Sequence, residues 1–212
     1  MSALLRKELR LVNSPMTWLF LPLVALVLIP DYPYQIGFIY QLLAVFFAFQ
    51  AAREGRDLEF SMLLPVRKAD LVSARVLLVV VIQMAAVVVG VPLLWLRSTS
   101  GIANAVGLDA SPAVLGSVLV MYGIFTIVFL PYVYRRPDRL GLPLALAGAA
   151  IGVWIAGSEI IIQAVGPLRR WLDEPGGLGA QWAWLAVGAC VYAALVLLAR
   201  GLAVRAFDTV DL

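Results

Sequence analysis

The stretch that decides the fold is residues 53–75, REGRDLEFSMLLPVRKADLVSAR, a short charged segment between two long apolar ones. It contains five of the sixteen Lys and Arg residues and four of the thirteen Asp and Glu residues of the chain. The apolar runs on either side, residues 34–52 and 76–96, each have about the 20 residues that an α-helix needs to cross ~30 Å of hydrocarbon. The pattern therefore predicts a water-facing connection between two membrane-spanning helices.

The composition of the whole chain points to the same class. Of the 212 residues, 63% are hydrophobic and 14% are charged, whereas soluble domains carry about 25% charged residues. Such a chain cannot cover a water-facing surface, so the bilayer is its main solvent. We predict an all-α integral membrane protein, a single transmembrane domain over residues 1–212 with about six spans. The predicted spans are residues 16–30, 34–52, 76–96, 112–134, 142–163 and 181–203.

Shorter segments between and before these spans have their own patterns. Residues 1–15 interleave leucines with basic residues, which predicts an amphipathic helix lying in the membrane interface. Pro22 falls inside the short first span and predicts a distortion there. Ser111 followed by Pro112 is typical of a helix N-cap and first turn. Residues 166–179 predict a short interfacial helix between glycines.

Basic residues are distributed unequally between the two sides of the predicted bundle. One side receives three Lys or Arg from residues 1–15, five from 53–75, three from 135–139 and two from the C-terminal tail. The other side receives only Arg97, Arg169 and Arg170. By the positive-inside rule, both termini and residues 53–75 are predicted to be cytoplasmic, in a multi-pass protein of the cell membrane. The basic residues thus serve orientation beside the membrane lipids, and we expect no nucleic-acid partner.

The chain offers few groups for catalysis. It has no histidine, which excludes imidazole metal sites and histidine acid-base chemistry. Its single cysteine, Cys190, excludes an intramolecular disulfide. No G-x-x-x-x-G-K-[ST] phosphate loop, H-E-x-x-H or G-x-S-x-G motif occurs. We therefore expect a protein that is not an enzyme and binds no cofactor of its own.

A few polar side chains lie within the predicted spans. Glu159 is 18 residues beyond Gly141, or ~27 Å along a helix, which places it near the far interface. It is either a carboxylate that reaches headgroup water or part of a transport path, and Gln163 shares its helix face. Gln41 and Gln83 lie deeper and need partners, either on another helix or in a wet pathway. The candidate transport-path residues are Gln41, Glu159 and Gln163.

Within residues 53–75 the pattern predicts a short helix that ends at Pro65. Asp57 can cap it, and Leu58 and Met62 form an apolar pair at i,i+4 spacing. Such a helix suits docking in the groove of a partner protein, but an ordinary interfacial loop helix has the same pattern. The candidate docking residues are Glu54, Arg56, Asp57, Leu58, Glu59, Phe60, Met62 and Leu63.

Several motifs resemble one known family. LPVRK at residues 64–68 is followed by VSAR at 72–75 and preceded by the acidic-basic run REGRDLE at 53–59. A weaker match is PYVYRR at 131–136. Together with the six-span layout, these motifs resemble the ABC type-2 permease family, the membrane subunits of ATP-binding-cassette exporters.

The resemblance implies a permease that works with other subunits. Two permeases, identical or different, would bind two cytoplasmic ATPase subunits that hold the ATP and magnesium. Residues 53–75 would be the coupling region, residues 1–15 the connecting helix, and Glu159 would lie near an outer re-entrant segment. The substrate, whether peptide, lipid or hydrophobic drug, would pass between the permeases. The alternative is a stand-alone membrane protein, either a lipid-acting enzyme or an immunity or assembly factor.

Overall fold

The protein is all-α over the residues that its computed structural model describes, with 86% of these residues in helices. The structure describes residues 18–62, 66–101, 104, 107–137, 139–173 and 177–209, without the side chains of Leu58 and Glu59. The predicted amphipathic helix at residues 1–15 lies outside the described residues. Within the described part, the helices are a 3₁₀ helix (Leu21–Leu28), α1 (Tyr34–Glu54), α2 (Asp57–Met62), α3 (Lys68–Thr99), α4 (Pro112–Arg135), α5 (Gly141–Ala164), α6 (Gly166–Leu172) and α7 (Leu178–Asp208).

Five helices of the described chain are long and apolar enough to cross a membrane: α1, α3, α4, α5 and α7. These correspond to the second to sixth predicted spans. The described part of the first predicted span is the 3₁₀ helix Leu21–Leu28 instead, with Pro22 in its first turn. At ~2 Å per residue its eight residues extend ~16 Å, about half of the hydrocarbon thickness. The distortion expected from Pro22 is therefore present.

The helix boundaries follow local sequence signals. α3 begins at Lys68, two turns before the apolar run at residue 76, and its first turn contains Asp70, where a carboxylate interacts favourably with the helix dipole. Ser111 is the N-cap of α4 with extended backbone, and Pro112 is in the first turn, as predicted. The predicted interfacial helix after the fifth span is α6, Gly166–Leu172.

The centre of the bundle is α4, which packs against α1, α3, α5 and α7. In its most apolar window 83% of the residues are buried, compared with 17% for α7. The α4–α7 contact is close because glycines face each other. A Cβ atom on Gly188 would lie 2.4 Å from the Gly116 carbonyl oxygen, which no real contact permits. The two backbones therefore touch at this crossing.

Buried hydrogen bonds join the spans around α4. The Gln83 Nε2 atom of α3 donates to Thr126 Oγ1 of α4 (3.1 Å), and Tyr192 Oη of α7 donates to Gln83 Oε1 (2.8 Å). Gln83 is fully buried. The sequence left open whether Gln83 has a partner on another helix or lines a wet pathway. The structure shows hydrogen bonds to two other helices.

Candidate functional site

α2 is a short helix at the junction of two spans, as the charged stretch predicts. α1 ends at Glu54, and the chain reverses at Gly55 and Arg56, where Arg56 has a positive φ of 49°. α2 then runs from Asp57 to Met62. The Phe60 N–H donates to the Arg56 carbonyl (3.1 Å), which attaches the reversal to the helix.

An ion pair ties α2 to the next span. Arg75 Nη2 of α3 donates to Asp57 Oδ2, and both side chains are largely buried. The Arg75 guanidinium also lies over the Phe49 ring of α1, 5.5 Å from its centroid, in a cation–π contact. Removing one partner of a buried pair leaves an uncompensated charge at high cost. These two contacts therefore join α2 to α3 and α3 to α1.

The candidate docking residues are arranged differently around α2. Phe60 is 57% exposed, and Glu54 and Arg56 beside it are also exposed. Asp57 is held by Arg75 as described, and Met62 packs against the protein core. Leu63 and the side chains of Leu58 and Glu59 lie outside the described part, and so does the Leu58 half of the predicted Leu58–Met62 pair.

The start of α3 is also joined to the end of α7 on this side of the molecule. Lys68 Nζ donates to the Phe207 carbonyl (3.3 Å) and lies 5.2 Å from the centre of its ring. About two turns earlier in α7, Arg200 Nε donates to Ser73 Oγ (2.8 Å). The start of α3 and the end of α7 are thus held together on the α2 side of the bundle.

At the opposite end of the bundle, Glu159 is partly buried. Gln35 Nε2 of α1 donates to Glu159 Oε1 of α5 (3.1 Å). The loop before α4 packs against the same carboxylate, since a Cβ atom on Gly107 would lie 3.2 Å from its oxygens. Glu159 therefore joins α5 to α1 and to this loop.

The other candidate path residues do not join Glu159. Gln163 is exposed, although it is one turn away on the same helix. Gln41 is fully buried in α1, and neither atom of its side-chain amide has a hydrogen-bond partner among the described residues. The three candidates are thus at separate places in the structure, and their role in a transport path stays a prediction.

The chain also matches a known protein family. Residues 3–164 match the family model described as ABC-2 family transporter protein. The chain belongs to this family. It is accordingly a permease-type transporter subunit and a multi-pass membrane protein. No curated protein and no solved structure shows a significant match to the chain.

Some polar residues of this permease were not singled out from its sequence. Arg97, in the last turn of α3, is buried, and its Nε donates to Tyr34 Oη (3.1 Å). The Asp109 N–H donates to Asp173 Oδ1 (2.7 Å), which joins the loop before α4 to the end of α6. The only sequence signal for this site was Arg97 itself, a single Arg at the end of the apolar run of the third span. Arg97 and Tyr34 are 63 positions apart in the chain, and Asp109 and Asp173 are 64 apart, so no local pattern could identify either pair.

A protein site for a metal ion needs several His, Cys, Asp or Glu side chains close together. Among the residues that the structure describes, no three His, Cys, Asp or Glu side chains are clustered in this way. Cys190 is a free, exposed cysteine on α7. The family supports a transport component rather than a catalytic enzyme.

Proposed function

We propose that this permease is the membrane subunit of an ATP-driven exporter, and that a separate ATP-binding-cassette ATPase docks on α2. The observation that carries the proposal is α2 itself, a helix between two spans that exposes the Phe60 ring. Exposed Glu54 and Arg56 flank that ring. An aromatic anchor within a charged rim is the usual composition of an interface centre.

A docked ATPase would also supply what this chain lacks. The sequence has no phosphate loop, so ATP and magnesium would be bound by the partner. Movement of the partner would displace α2, and the Arg75–Asp57 ion pair would pass the displacement to α3. Because α1 and α3 continue directly from the α2 region, the motion would reach both spans.

A second permease would complete the membrane part of the exporter. α5 and α7 bury only 22% and 17% of their most apolar windows within this chain. Gly148 and Gly152 of α5 have no atom within 4 Å of the position of an added Cβ, and this spacing lets another helix approach closely. We infer that this face contacts the second permease, whether identical or different. Of the three candidate path residues, Glu159 and Gln163 are on α5 itself, whereas Gln41 is buried in α1.

The main alternative is a stand-alone membrane protein, such as a lipid-acting enzyme. The proposal is tested by replacing Phe60 with Ala and measuring which ATP-binding-cassette ATPases co-purify with the chain from the cells that naturally make it. Loss of a buried aromatic anchor weakens a contact by about 1–3 kcal/mol, so we expect retention of the ATPase to fall strongly.

Trp171→Ala is the matched control, because Trp171 is an aromatic residue of similar exposure (59%) at the opposite end of the bundle. Both variants should insert equally well, since neither ring is buried in the bundle. Equal ATPase retention by the two variants would refute docking on α2. If the wild type retains no such ATPase, the exporter assignment fails and the stand-alone protein becomes the better account.

A further inference from the structure

Two cavities adjoin each other at the end of the bundle opposite α2. The first has a volume of about 490 Å³, and its mixed lining contains the polar side chains of Arg97, Asp109, Asp173 and Gln181. The second has a volume of about 250 Å³ and mostly apolar walls that include Val91, Trp95, Leu115 and Trp182. The residues common to both walls are Ser98, Ala110, Ser111 and Pro112. The first cavity, called the polar chamber below, and the second, called the apolar groove, therefore share one edge.

The polar chamber contains a buried cation with unused hydrogen-bonding capacity. Arg97 is only 4% exposed. Its Nε donates to Tyr34 Oη and its Nη1 donates to Ser100 Oγ (2.9 Å). Its Nη2 is buried and has no hydrogen-bond partner among the described residues. A guanidinium is always charged, and its planar set of donors matches the oxygens of a phosphate group.

Two carboxylates line the same chamber. Asp109 accepts a hydrogen bond from the Asn104 N–H and donates its own N–H to Asp173 Oδ1. Asp173 also lies 3.9 Å from Arg169 Nε, whose side chain is mostly exposed, so that pair contributes little. One guanidinium and two carboxylates suit a ligand with both an anionic group and an ammonium group that donates hydrogen bonds.

The position of the chamber relative to the membrane narrows the ligand class. Lys68 and Arg97 are at opposite ends of α3, 29 residues or ~44 Å apart at 1.5 Å per residue. This distance matches the ~40–45 Å thickness of a bilayer with its headgroup regions. Arg97 thus lies at headgroup level when Lys68 lies at the other interface. Trp95 and Trp182 of the apolar groove are exposed large hydrophobic residues, and Trp is enriched at this level of the membrane.

We propose that the paired cavities bind a phospholipid with a primary-amine headgroup, taken from the leaflet opposite α2. The Arg97 guanidinium in the chamber wall provides the positive charge that attracts the phosphate, the carboxylates of Asp109 and Asp173 accept from the ammonium, and an acyl chain lies in the groove beside Trp95 and Trp182. This site does not depend on ATPase docking, because all its residues belong to one chain at the other end of the bundle.

The test is a titration of the purified, delipidated chain in detergent, with thermal stabilisation as the measure of binding. The probes are phosphatidylethanolamine, phosphatidylcholine and phosphatidylglycerol of equal chain length, and inorganic phosphate. We expect phosphatidylethanolamine to bind at least tenfold more tightly than the others. Phosphatidylcholine has no ammonium proton to donate, phosphatidylglycerol has no ammonium, and phosphate has no acyl chain.

Two variants locate the site. Ser98→Trp places a bulky ring where the two cavities meet and removes no buried contact, because Ser98 is exposed. We expect it to weaken phosphatidylethanolamine binding at least tenfold. Arg97→Gln removes the positive charge, and we expect it also to weaken phosphatidylethanolamine binding at least tenfold. Val88→Trp is the control, since Val88 is exposed on α3 and lines neither cavity.

Several results would overturn the proposal. Equal binding to wild type and Ser98→Trp would exclude the groove. Equal binding of phosphatidylcholine or phosphatidylglycerol to the wild type would exclude recognition of the amine. Binding of inorganic phosphate as tight as that of phosphatidylethanolamine would indicate a free-anion site. These comparisons hold even if Arg97→Gln does not fold.

Discussion

At the scale of single residues, Gln83 shows how polar groups stabilise this bundle. Its side-chain amide donates to Thr126 and accepts from Tyr192, so one fully buried side chain joins α3, α4 and α7. Hydrocarbon cannot satisfy these groups, which makes the mutual bonds necessary. Each such hydrogen bond nevertheless contributes only modestly to the free energy of unfolding, because the unfolded chain in a membrane also finds hydrogen-bond partners.

Tyr192→Phe tests this network by removing only the hydroxyl that donates to Gln83. We expect the free energy of unfolding in detergent to fall by about 0.6–1.7 kcal/mol. Tyr132→Phe is the control, because Tyr132 is an exposed tyrosine at the end of α4. Equal stability of the two variants would show that the Tyr192–Gln83 bond contributes nothing measurable.

At the scale of helices, the α4–α7 crossing depends on two glycines. Gly116 and Gly188 allow the backbones to touch, since an added Cβ on Gly116 would lie 2.8 Å from the Trp184 carbonyl oxygen. Helices in membranes associate through such close van der Waals packing rather than through a hydrophobic driving force. The contact positions α7 beside α4, with Tyr192 facing Gln83.

Gly188→Ala should therefore separate the two helices and destabilise the protein by about 1–3 kcal/mol, the usual cost of overpacking. The same change at Gly201 is the matched control on α7, because no atom lies within 4 Å of the position of its Cβ. Gly201→Ala should be neutral or stabilising by up to about 1 kcal/mol, since Ala favours a helix more than Gly does. Thermal unfolding of both variants measures the difference, and an equally stable Gly188→Ala variant would contradict the backbone contact.

At the scale of the whole molecule, charge separates the two ends of the bundle. The end with α2 contains the predicted cytoplasmic residues Arg139 and Lys68, and the other end contains Arg97 and Arg169. Thirteen of the sixteen Lys and Arg residues fall on the α2 side in the predicted topology. This asymmetry is the basis for proposing that α2 is cytoplasmic, as docking of an ATPase requires.

Single-cysteine labelling tests this orientation in a Cys190→Ser background, which has no other thiol. Arg139 and Arg169 are both exposed and lie at opposite ends, so Arg139→Cys and Arg169→Cys form a matched pair. An impermeant thiol reagent on intact cells should label the cysteine at 169, and the one at 139 only after permeabilisation. The reverse labelling pattern would invert the topology and remove the cytoplasmic ATPase from α2.

The amino-acid sequence by itself determined the all-α class, the places of five spans, the short helix α2 and the family resemblance. These properties depend on the length of apolar runs, on prolines and caps, and on where charges interrupt the pattern, all of which are local. The family match over residues 3–164 confirmed the resemblance. The sequence did not predict that the described part of the first span is a 3₁₀ helix, although Pro22 indicated a distortion there.

Only the tertiary structure decided which helix is central and which side chains meet. α4 and α7 are both long apolar helices, yet one is mostly buried and the other mostly exposed within the chain. Hydropathy cannot separate them, because lipid and the protein interior are both apolar environments. The Arg75–Asp57 pair joins residues 18 positions apart, and Gln35 and Glu159 are 124 apart. Such contacts depend on which helix faces pack together, and packing is a property of the whole bundle.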